Sequence, residues 1–529
     1  MSGKRARADG GISKEQYDAQ DAFSAAPSTT GFEAFPRASE SVLQTRKIVA
    51  KGSSSAANAT TLTRASESHR QFTALNRAFA ANIKAQWQHN KRGDWLENMK
   101  EYIVYARDIT SKFGAQEGQV LTFGSGDCGQ LGHGVEEDDD MMVKFPRVLQ
   151  ALSTKHIVRV ACGGLHTGAI AASGEVYTWG CNDDGALGRV GEENFPAEVE
   201  GFGPAAACAV QIVGGDCHTA VVTLTGQVYT WGSYKDKEGK QWCDAATPSA
   251  SFKQKQVRPF LIKGVNNAVD VRCGSSFNVV RTNEGHVYSW GLGEMGQLGR
   301  EVNAEMKDAT TGDYLVDMVF HDHLTPARMM LGKEPLPAVK AIGCGSYHSL
   351  VALAANGYLY TTGLNNYGQL GIGSTENQVK LQLVDDLATK NIASVEGGTH
   401  HSVVLTNDGD VYTFGRADSG QLGAQDTCQT GDFKDRPQKV EFLGAKEKIV
   451  VRAIAAGSNH ALVLTEQNAI YSWGYGDMLA LGNGVEQDET RPRLVDWRKT
   501  SFGNAEILQI DAGGQHSAVL ARTTAGKST

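Results

Sequence analysis

The stretch GGLHTGAIAASGEVYTWG, residues 163–180, decides the fold of this chain. It joins a glycine–histidine phrase to an aromatic strand phrase that ends in glycine. The alternation in VYTWG is typical of a half-buried β-strand, and the turn at Ser173-Gly174 supplies hairpin geometry. Both phrases recur seven times, at spacings of about 50 to 70 residues, which is the length of a propeller blade rather than of a solenoid repeat.

The order of the two phrases predicts how the ring closes. The strand phrase ends at Gly124, Gly180, Gly232, Gly291, Gly363, Gly415 and Gly474, and the second phrase ends at His166, His218, Phe277, His348, His400, His460 and His516. The series begins with a strand phrase and ends with a glycine–histidine phrase, so only six units are whole. We therefore predict an all-β, seven-bladed β-propeller over residues 118–522, closed by its termini. In it the last segment, Ile507 to Leu520, pairs with Gln119 to Phe123 and removes two open sheet edges.

Composition excludes several classes of protein. The 529 residues contain no apolar run long enough for a membrane span, and MSGKRARADGG lacks the apolar stretch of a secretory signal. Nine scattered cysteines without a CxxC pair indicate reduced, buried thiols in a nuclear or cytosolic protein. A net charge of −8 argues against a protein that works mainly on phosphate contacts. Because metal spacing, a nucleophile elbow and a phosphate loop are missing, we expect no metal, no cofactor and no covalent chemistry.

The residues before the propeller fall into two parts. Residues 1–67 are rich in small polar residues and predict a disordered tail, as do residues 523–529. Residues 68–113 predict a helical hairpin, because Phe72, Leu75 and Phe79 recur at helical steps and Asp94 is a suitable N-cap for a second helix.

Several loop motifs resemble one known family. GSGDCGQLGHG (124–134), GCNDDGALGR (180–189) and GLGEMGQLGR (291–300) resemble the repeats of the regulator of chromosome condensation family. The resemblance implies a propeller that is a guanine-nucleotide exchange factor for the small GTPase Ran. WGSYKDKEG (231–239) is similar to the family's wedge, which enters the GTPase near its nucleotide. The residues of that wedge are Tyr234, Lys235, Asp236, Lys237, Glu238 and Gly239. The alternative interpretation is a charged surface hairpin.

The same resemblance assigns roles to single residues. Asp216 and His400 match catalytic positions of the family. The positions that match GTPase contacts are Asp127, His166, Arg300, Arg416 and His516. From spacing alone, a histidine that recurs in most blades is better explained as a structural residue that bonds neighbouring backbone. Asp216 breaks the repeat, because most blades carry no acid there, and this favours a functional role.

Two departures from the family pattern stand out. Ser276 occupies the place of a further catalytic Asp, and a serine supplies no carboxylate to a Lys or Arg of the GTPase. The loop EVNAEMKDATTGDYLVDMVFHDH (301–323) is acidic where the family carries an Arg- and Gly-rich, nucleosome-binding loop. Like charge would repel it from a histone acidic patch, so we do not expect chromatin docking through this loop.

The N-terminal region resembles a different protein. RASESVLQTRKIVAK (37–51), FEAF (32–35) and KRARAD (4–9) resemble the importin-α-binding region of the fifty-kilodalton nuclear-basket nucleoporin, and residues 68–114 are similar to its helical domain. The implied importin-α-binding residues are Lys4, Arg5, Arg7, Arg46, Lys47 and Lys51. The combination implies a nuclear protein at the pore basket, with other basket proteins as partners. Whether the basic peptide is an import signal or a cargo-release element stays open, and a solvated tail is the alternative.

Three interpretations of function remain open at this point. The first is a Ran exchange factor, and the second is a catalytically weak scaffold that binds Ran and importin-α at the pore. The third is a propeller of the same superfamily with an unrelated function, such as light sensing or ubiquitin-ligase targeting. A light sensor needs clustered tryptophans on the ring face, whereas Trp179, Trp231, Trp290 and Trp473 in the strand phrases are better explained by blade packing.

Overall fold

Seven four-stranded antiparallel sheets form the part of the chain that the computed structural model describes. The structure describes residues 116–523, except for residues 136–140, 204–205, 237, 244–253, 303–320, 446 and 496–504. The predictions for the N-terminal tail, for the helical hairpin, for most of the acidic loop and for residues 524–529 therefore lie outside the described residues.

The described residues contain thirty-two strands, numbered here in chain order. The first sixteen are β1 (Gln119–Ser125), β2 (Met142–Val148), β3 (Ile157–Cys162), β4 (His166–Ala171), β5 (Val176–Gly180), β6 (Ala197–Val199), β7 (Ala209–Gly214), β8 (His218–Thr223), β9 (Val228–Gly232), β10 (Tyr234–Lys235), β11 (Gln241–Trp242), β12 (Gln256–Leu261), β13 (Ala268–Cys273), β14 (Phe277–Thr282), β15 (Val287–Gly291) and β16 (Ala327–Arg328).

The remaining sixteen are β17 (Met330–Leu331), β18 (Glu334–Pro335), β19 (Val339–Cys344), β20 (His348–Leu353), β21 (Leu359–Gly363), β22 (Gln378–Leu383), β23 (Ile392–Gly397), β24 (His401–Thr406), β25 (Val411–Arg416), β26 (Phe433–Lys439), β27 (Val451–Ala456), β28 (His460–Thr465), β29 (Ile470–Gly474), β30 (Glu489–Leu494), β31 (Glu506–Ala512) and β32 (His516–Arg522). Two 3-10 turns, Gln150–Leu152 and Asp385–Leu387, accompany them. No helix in the described ranges has the length and apolarity needed to cross a membrane.

The sheets are the seven predicted blades. Blade 1 consists of β3 to β6, blade 2 of β7, β8, β9 and β12, and blade 3 of β13 to β16. Blade 4 consists of β19 to β22, blade 5 of β23 to β26 and blade 6 of β27 to β30. Blade 7 combines both ends of the propeller, in the order β2-β1-β32-β31. Two short hairpins, β10–β11 and β17–β18, lie outside the blades.

The ring closes through its two ends, as predicted. β1 pairs with β32 from Gln119 opposite Ala521 to Gly124 opposite His516. Within the predicted segment 507–520, only the part from His516 onward pairs with β1; β31 pairs instead with the other edge of β32 and contacts β3 of blade 1. The last blade is thus a sheet shared between the termini, and its innermost strand completes the wall of the central channel.

The strand phrase ends in glycine because the chain passes too close to its neighbour for a side chain. Gly180 has φ +104°, and a Cβ there would lie 2.6 Å from the carbonyl oxygen of Leu165. That contact joins the end of β5 to the loop before β4. The same glycine in every blade therefore reflects one repeated close approach of backbone.

Indole rings join successive blades. Trp179 is fully buried and donates through Nε1 to the carbonyl of Gln130, at 2.9 Å. Trp473 makes the matching bond to Gln421, at 3.0 Å. Each acceptor belongs to the preceding blade's loop. These tryptophans pack one blade against the next, which confirms the packing interpretation. They are buried and therefore form no cluster on the face of the ring.

Buried histidines form a second set of joints between blades. His348 Nε2 lies 2.8 Å from the hydroxyl of Ser402, and His460 Nε2 lies 2.9 Å from that of Ser517. The structural interpretation of the recurring histidine is thus confirmed, with the difference that its partner is a side chain of the next blade. In blade 5 the residue at this place is His401, which begins β24, and not its neighbour His400. His401 is buried, but neither of its ring nitrogens has a hydrogen-bond partner among the described residues.

The central channel holds a charged cluster that the sequence pattern did not indicate. Arg272 of blade 3 reaches Glu396 of blade 5, with 2.6 Å between Nη1 and Oε1, and lies 3.5 Å from Asp270. All three residues belong to innermost strands, Asp270 and Arg272 to β13 and Glu396 to β23.

All nine cysteines are free. Cys162, Cys208, Cys243 and Cys344 are buried as expected, whereas the other five are half-buried.

Candidate functional site

One end of the propeller gathers the predicted site residues. In each blade the second strand begins beside the end of the third strand, as in the pairs His218–Gly232 and His401–Gly415. The loop before the second strand and the loop after the third strand therefore lie at the same end. Asp216 and His400 stand in loops of the first kind, and Asp127 in a loop of the second kind. The backbone register alone thus brings these positions to one rim of the channel.

The segment predicted as a wedge is a short hairpin on this rim. In it Tyr234 pairs with Trp242, and Lys235 pairs with Gln241. The side chains of Tyr234 and Trp242 are buried, at 2% and 3% exposure, in a small cluster with Leu292 and Leu324. The hairpin is therefore rooted in the propeller by its aromatic residues, while its tip is left to solvent.

Asp236 shapes the tip of the hairpin. Its Oδ1 accepts the backbone N–H groups of Glu238 and Lys240, at 3.0 and 2.8 Å, and its Oδ2 accepts the indole N–H of Trp242, at 2.9 Å. Gly239 has φ +78°, and no atom lies within 4 Å of a Cβ built on it. Glu238, Gly239 and Lys240 are exposed. Lys237 lies outside the described residues. The tip thus combines a defined backbone with exposed charge.

Neighbouring blades hold the base of the hairpin. The hydroxyl of Ser276, in blade 3, accepts the backbone N–H of Lys235 and donates to the carbonyl of the same residue, both at 3.0 Å. The ammonium of Lys235 lies 2.6 Å from Oδ2 of Asp184, in blade 1. The amide of Asn278 donates to the phenol oxygen of Tyr234, at 2.8 Å.

Asp216 stands beside this hairpin at the mouth of the channel. It reaches solvent, and its carboxylate accepts a short hydrogen bond from the hydroxyl of Ser275. Partial loss of solvation at the crowded rim disfavours the charged carboxylate and raises the pKa of Asp216 above its ordinary value. The Ser275 hydroxyl and the charge of Lys235 act in the opposite direction and favour the ionised form. The side chain is an acceptor with a charged neighbour, which suits recognition of a basic group of a partner.

His400 belongs to a second cluster, three blades away. Its ring lies 5.1 Å from the ring of Tyr367, and the guanidinium of Arg416 lies 5.2 Å from the same tyrosine ring. Asp418 pairs with Arg416, at 2.7 Å. Burial lowers the pKa of His400, and the charge of Arg416 lowers it further. The imidazole is therefore neutral at pH 7, and Arg416 remains half-exposed beside it.

Three predicted contact residues lie inside the propeller instead. His166 and His516 are 2% and 0% exposed and bond to hydroxyl groups of neighbouring blades. Arg300 is 7% exposed, and its Nη2 donates to the carbonyls of Asp322 and Thr325, at 2.9 and 3.1 Å. These side chains do not reach the rim surface, so this geometry supports a structural role for them. Asp127, by contrast, is exposed.

Sequence reasoning missed Asp184, Ser275 and Tyr367. Asp184 falls in the motif GCNDDGALGR, and Tyr367 falls in the similar stretch GLNNYGQLG (363–371). In both, the turn pattern draws attention to the glycines rather than to these two residues. Ser275 follows Asp216 by 59 positions, and only the contact between blades joins the two. Within the described ranges, no three His, Cys, Asp or Glu side chains are placed to hold a metal ion.

Comparison with known proteins identifies the family. Residues 119–519 match the family model of the RCC1-like domain, and the chain therefore belongs to that family. It is 32% identical over 417 residues to the regulator of chromosome condensation of Xenopus laevis, covering 77% of this chain and 91% of that protein. It is 28% identical over 496 residues to the guanine nucleotide exchange factor SRM1 of Saccharomyces cerevisiae, covering 84% of this chain and 95% of that protein.

Solved structures show the same architecture. The crystal structure of Prp20p from Saccharomyces cerevisiae, described with its binding to Gsp1p and histones, superposes with a TM-score of 0.67 at 27% identity, covering 78% of this chain and 93% of that chain. A structure of yeast RCC1 (Prp20) bound to Kap60 gives a TM-score of 0.66 at 27% identity, covering 78% and 90%. A fold of this kind serves many functions, so the activity has to be argued from the site.

Proposed function

We propose that this chain is a guanine-nucleotide exchange factor for the small GTPase Ran that acts without covalent chemistry. The observation that carries the proposal is the rooted hairpin 234–242 beside the carboxylate of Asp216 at the channel rim. Membership of the RCC1-like domain family supports it, as does the similarity to an exchange factor of yeast.

The proposed mechanism is one of linkage. A GTPase holds its nucleotide through a phosphate loop, a lysine and Mg²⁺. A partner that binds the nucleotide-free form more tightly than the loaded form lowers nucleotide affinity by the same factor. The tip of the hairpin, with Lys240 and Glu238 exposed on a fixed backbone, is suited to enter such a site.

The exposed rim residues supply the contacts of the proposed complex. Asp216 and Asp127 offer carboxylates to basic groups, and Arg416 with His400 offers a cation and a neutral imidazole on the other side of the channel. Because Asp216 remains next to Ser275 and Lys235, a carboxylate is present on this side of the rim although Ser276 replaces the expected acid.

Reciprocity gives a direct test of the linkage. Purified Ran and the intact chain should form a stable complex on size exclusion after the nucleotide is removed, and added GDP should dissociate it. Asp127→Ala and Arg416→Ala should weaken that complex. A complex that survives excess GDP unchanged would instead favour the alternative, a scaffold that holds Ran without exchanging its nucleotide.

We also propose a nuclear location and importin-α binding through the N-terminal basic residues, with the pore basket as the site of action. The resemblance of residues 4–51 to an importin-α-binding region supports this, and a yeast relative has been solved bound to Kap60. Importin-α should bind the intact chain and lose affinity when Arg46 and Lys47 become alanine. Histone binding is not part of the proposal, because the loop 301–323 is acidic.

A further inference from the structure

We infer that Ser276 and Asp184 are positioning residues that clamp the hairpin 234–242 from two neighbouring blades and thereby hold its tip ready for the GTPase. The inference rests on the proposed exchange function for its catalytic consequence. The clamp itself is defined by contacts within the propeller, and hydrogen–deuterium exchange measures it without Ran.

Ser276 completes the free edge of strand β10. Within the hairpin, Asp236 donates its N–H to the carbonyl of Lys240. Because adjacent residues of an antiparallel strand face opposite edges, the N–H and carbonyl of Lys235 point away from β11. The hydroxyl of Ser276 meets both groups, at 3.0 Å each, and is 6% exposed. One buried side chain thus takes the place of a partner strand.

Asp184 ties the two strands of the hairpin together from the opposite side. Its Oδ2 lies 2.6 Å from the ammonium of Lys235, and its Oδ1 accepts a short hydrogen bond from the amide of Gln241. Lys235 belongs to β10 and Gln241 to β11. The carboxylate is 14% exposed, and Lys235 is 43% exposed. The pair is therefore partly open to solvent and should respond to salt, unlike the buried hydroxyl contact.

The residue expected from the family could not do the work of Ser276 here. An ionised carboxylate only accepts hydrogen bonds, so Asp at this position cannot donate to the carbonyl of Lys235. It would also place a negative charge against that carbonyl oxygen. Replacement of the expected acid by Ser276 therefore does more than remove a carboxylate. The Ser276 hydroxyl holds the backbone of the hairpin.

Holding the hairpin lowers the ordering cost of binding. A wedge that is already in place does not lose conformational freedom when the partner arrives, whereas a loosened one does. Two neutral hydrogen bonds are typically worth about a 5- to 150-fold change in an equilibrium, so loss of the Ser276 hydroxyl should slow exchange by a factor in that range. Because this cost is met when the tip enters a GTPase that is already bound at the rim, the effect should appear at saturating Ran.

The test compares four variants of the full chain: Ser276→Ala, Ser276→Thr, Ser276→Asp and Asp184→Asn. Ser458→Ala, on the same rim in blade 6, is the control, because its backbone bonds reach Gly513 and Thr399 rather than the hairpin. Two readouts are used: hydrogen–deuterium exchange of residues 234–242 without Ran, and release of fluorescent GDP at saturating and at low Ran.

We expect Ser276→Ala and Ser276→Asp to expose the Lys235 amide to hydrogen exchange and to slow GDP release at saturating Ran by about 5- to 150-fold. Ser276→Thr keeps the hydroxyl and should restore both amide protection and release. Asp184→Asn should slow release at low salt, with a difference from wild type that shrinks in 1 M salt. The inference is overturned if Ser276→Ala leaves amide protection and release unchanged, or if Ser276→Asp releases GDP faster than wild type. If wild type releases no GDP but Ser276→Ala still loses protection, the clamp stands and the proposed function fails.

Discussion

The ring Nε2 of His166 lies 2.8 Å from the hydroxyl oxygen of Thr219 in the next blade, and the same contact joins His516 to Thr167 where the last blade meets the first. The closing joint is therefore built like the joints of His166, His348 and His460, each of which meets a hydroxyl group of the next blade. Burial lowers the pKa of His166 and of His516 to about 3. Each joint depends on an imidazole that stays uncharged.

This arrangement predicts a steep loss of stability in acid. The recurring blade histidines have a pKa of about 3 or 4 in the fold, and they are His166, His218, His348, His401, His460 and His516. Burial lowers the pKa of His323 to about 4 as well. Above pH 6.5 an unfolded histidine is neutral too, so their contribution is fully present. Between about pH 6.5 and 4 the unfolded chain binds protons that the fold cannot, at about 1.4 kcal/mol per proton and pH unit.

The free energy of unfolding should thus fall as the pH drops below 6.5. Urea unfolding at pH 5 and pH 7.5 measures the proton uptake, and His460→Asn should reduce that uptake by about one proton at pH 5. An unchanged uptake in this variant would contradict the assignment of His460 as a neutral, buried joint.

Closure of the ring by β32 makes a second prediction. Ending the chain after Ala512 removes β32, and with it the ladder from Gln119–Ala521 to Gly124–His516. Both sheet edges then lie open, so we expect loss of cooperative thermal unfolding. Ending the chain after Thr523 keeps β32 and serves as the control. Equal unfolding midpoints for the two truncations would show that closure does not stabilise the propeller.

Glycine at the blade corners makes a third prediction. Gly423 has φ +60°, and a Cβ there would lie 2.7 Å from the indole of Trp473. Gly431 has φ +87° but no atom within 4 Å of such a Cβ. Gly431→Ala should cost only the backbone strain, about 1–2 kcal/mol. Gly423→Ala should cost about 1–3 kcal/mol more, because the indole must move. Chemical denaturation of both variants measures the difference, and equal losses would contradict it.

Two arginines that the family resemblance treats alike should behave differently. Arg300 is buried and donates to backbone carbonyls, whereas Arg416 is half-exposed on the rim beside His400. Arg300→Ala should lower the unfolding temperature, because it leaves buried carbonyls without a donor. Arg416→Ala should leave that temperature nearly unchanged and raise the Ran concentration needed for half-maximal exchange. The reverse pattern would assign the contact role to Arg300.

The sequence predicts the blades well because their information is local. The alternation of VYTWG and the fixed turn glycines are consequences of strand and hairpin geometry, and the offset of the two phrases indicates the closing sheet. The segment 234–239 is recognised through the resemblance of WGSYKDKEG to the family's wedge, and its own residues indicate no more than a charged hairpin. Arg300 and His516 could not be placed in this way, since a motif does not say whether a side chain points inward.

Contacts between blades escape such reasoning. Ser276 and Lys235 are 41 positions apart, and Asp184 and Lys235 are 51 apart. Nothing in the local pattern pairs them; the packing of three blades does. Likewise His400 and His401 are adjacent in sequence, and only the register of β24 against β25 decides that His401 is buried and that His400 faces the rim.

The release of fluorescent GDP from purified Ran by the intact chain tests the central claim most directly. We predict a strong acceleration that Asp216→Ala and deletion of residues 234–239 each abolish, with the unfolding temperature of Asp216→Ala close to that of wild type. No acceleration by the intact chain, with binding of Ran retained, would contradict an exchange factor and leave a propeller that holds Ran as a scaffold.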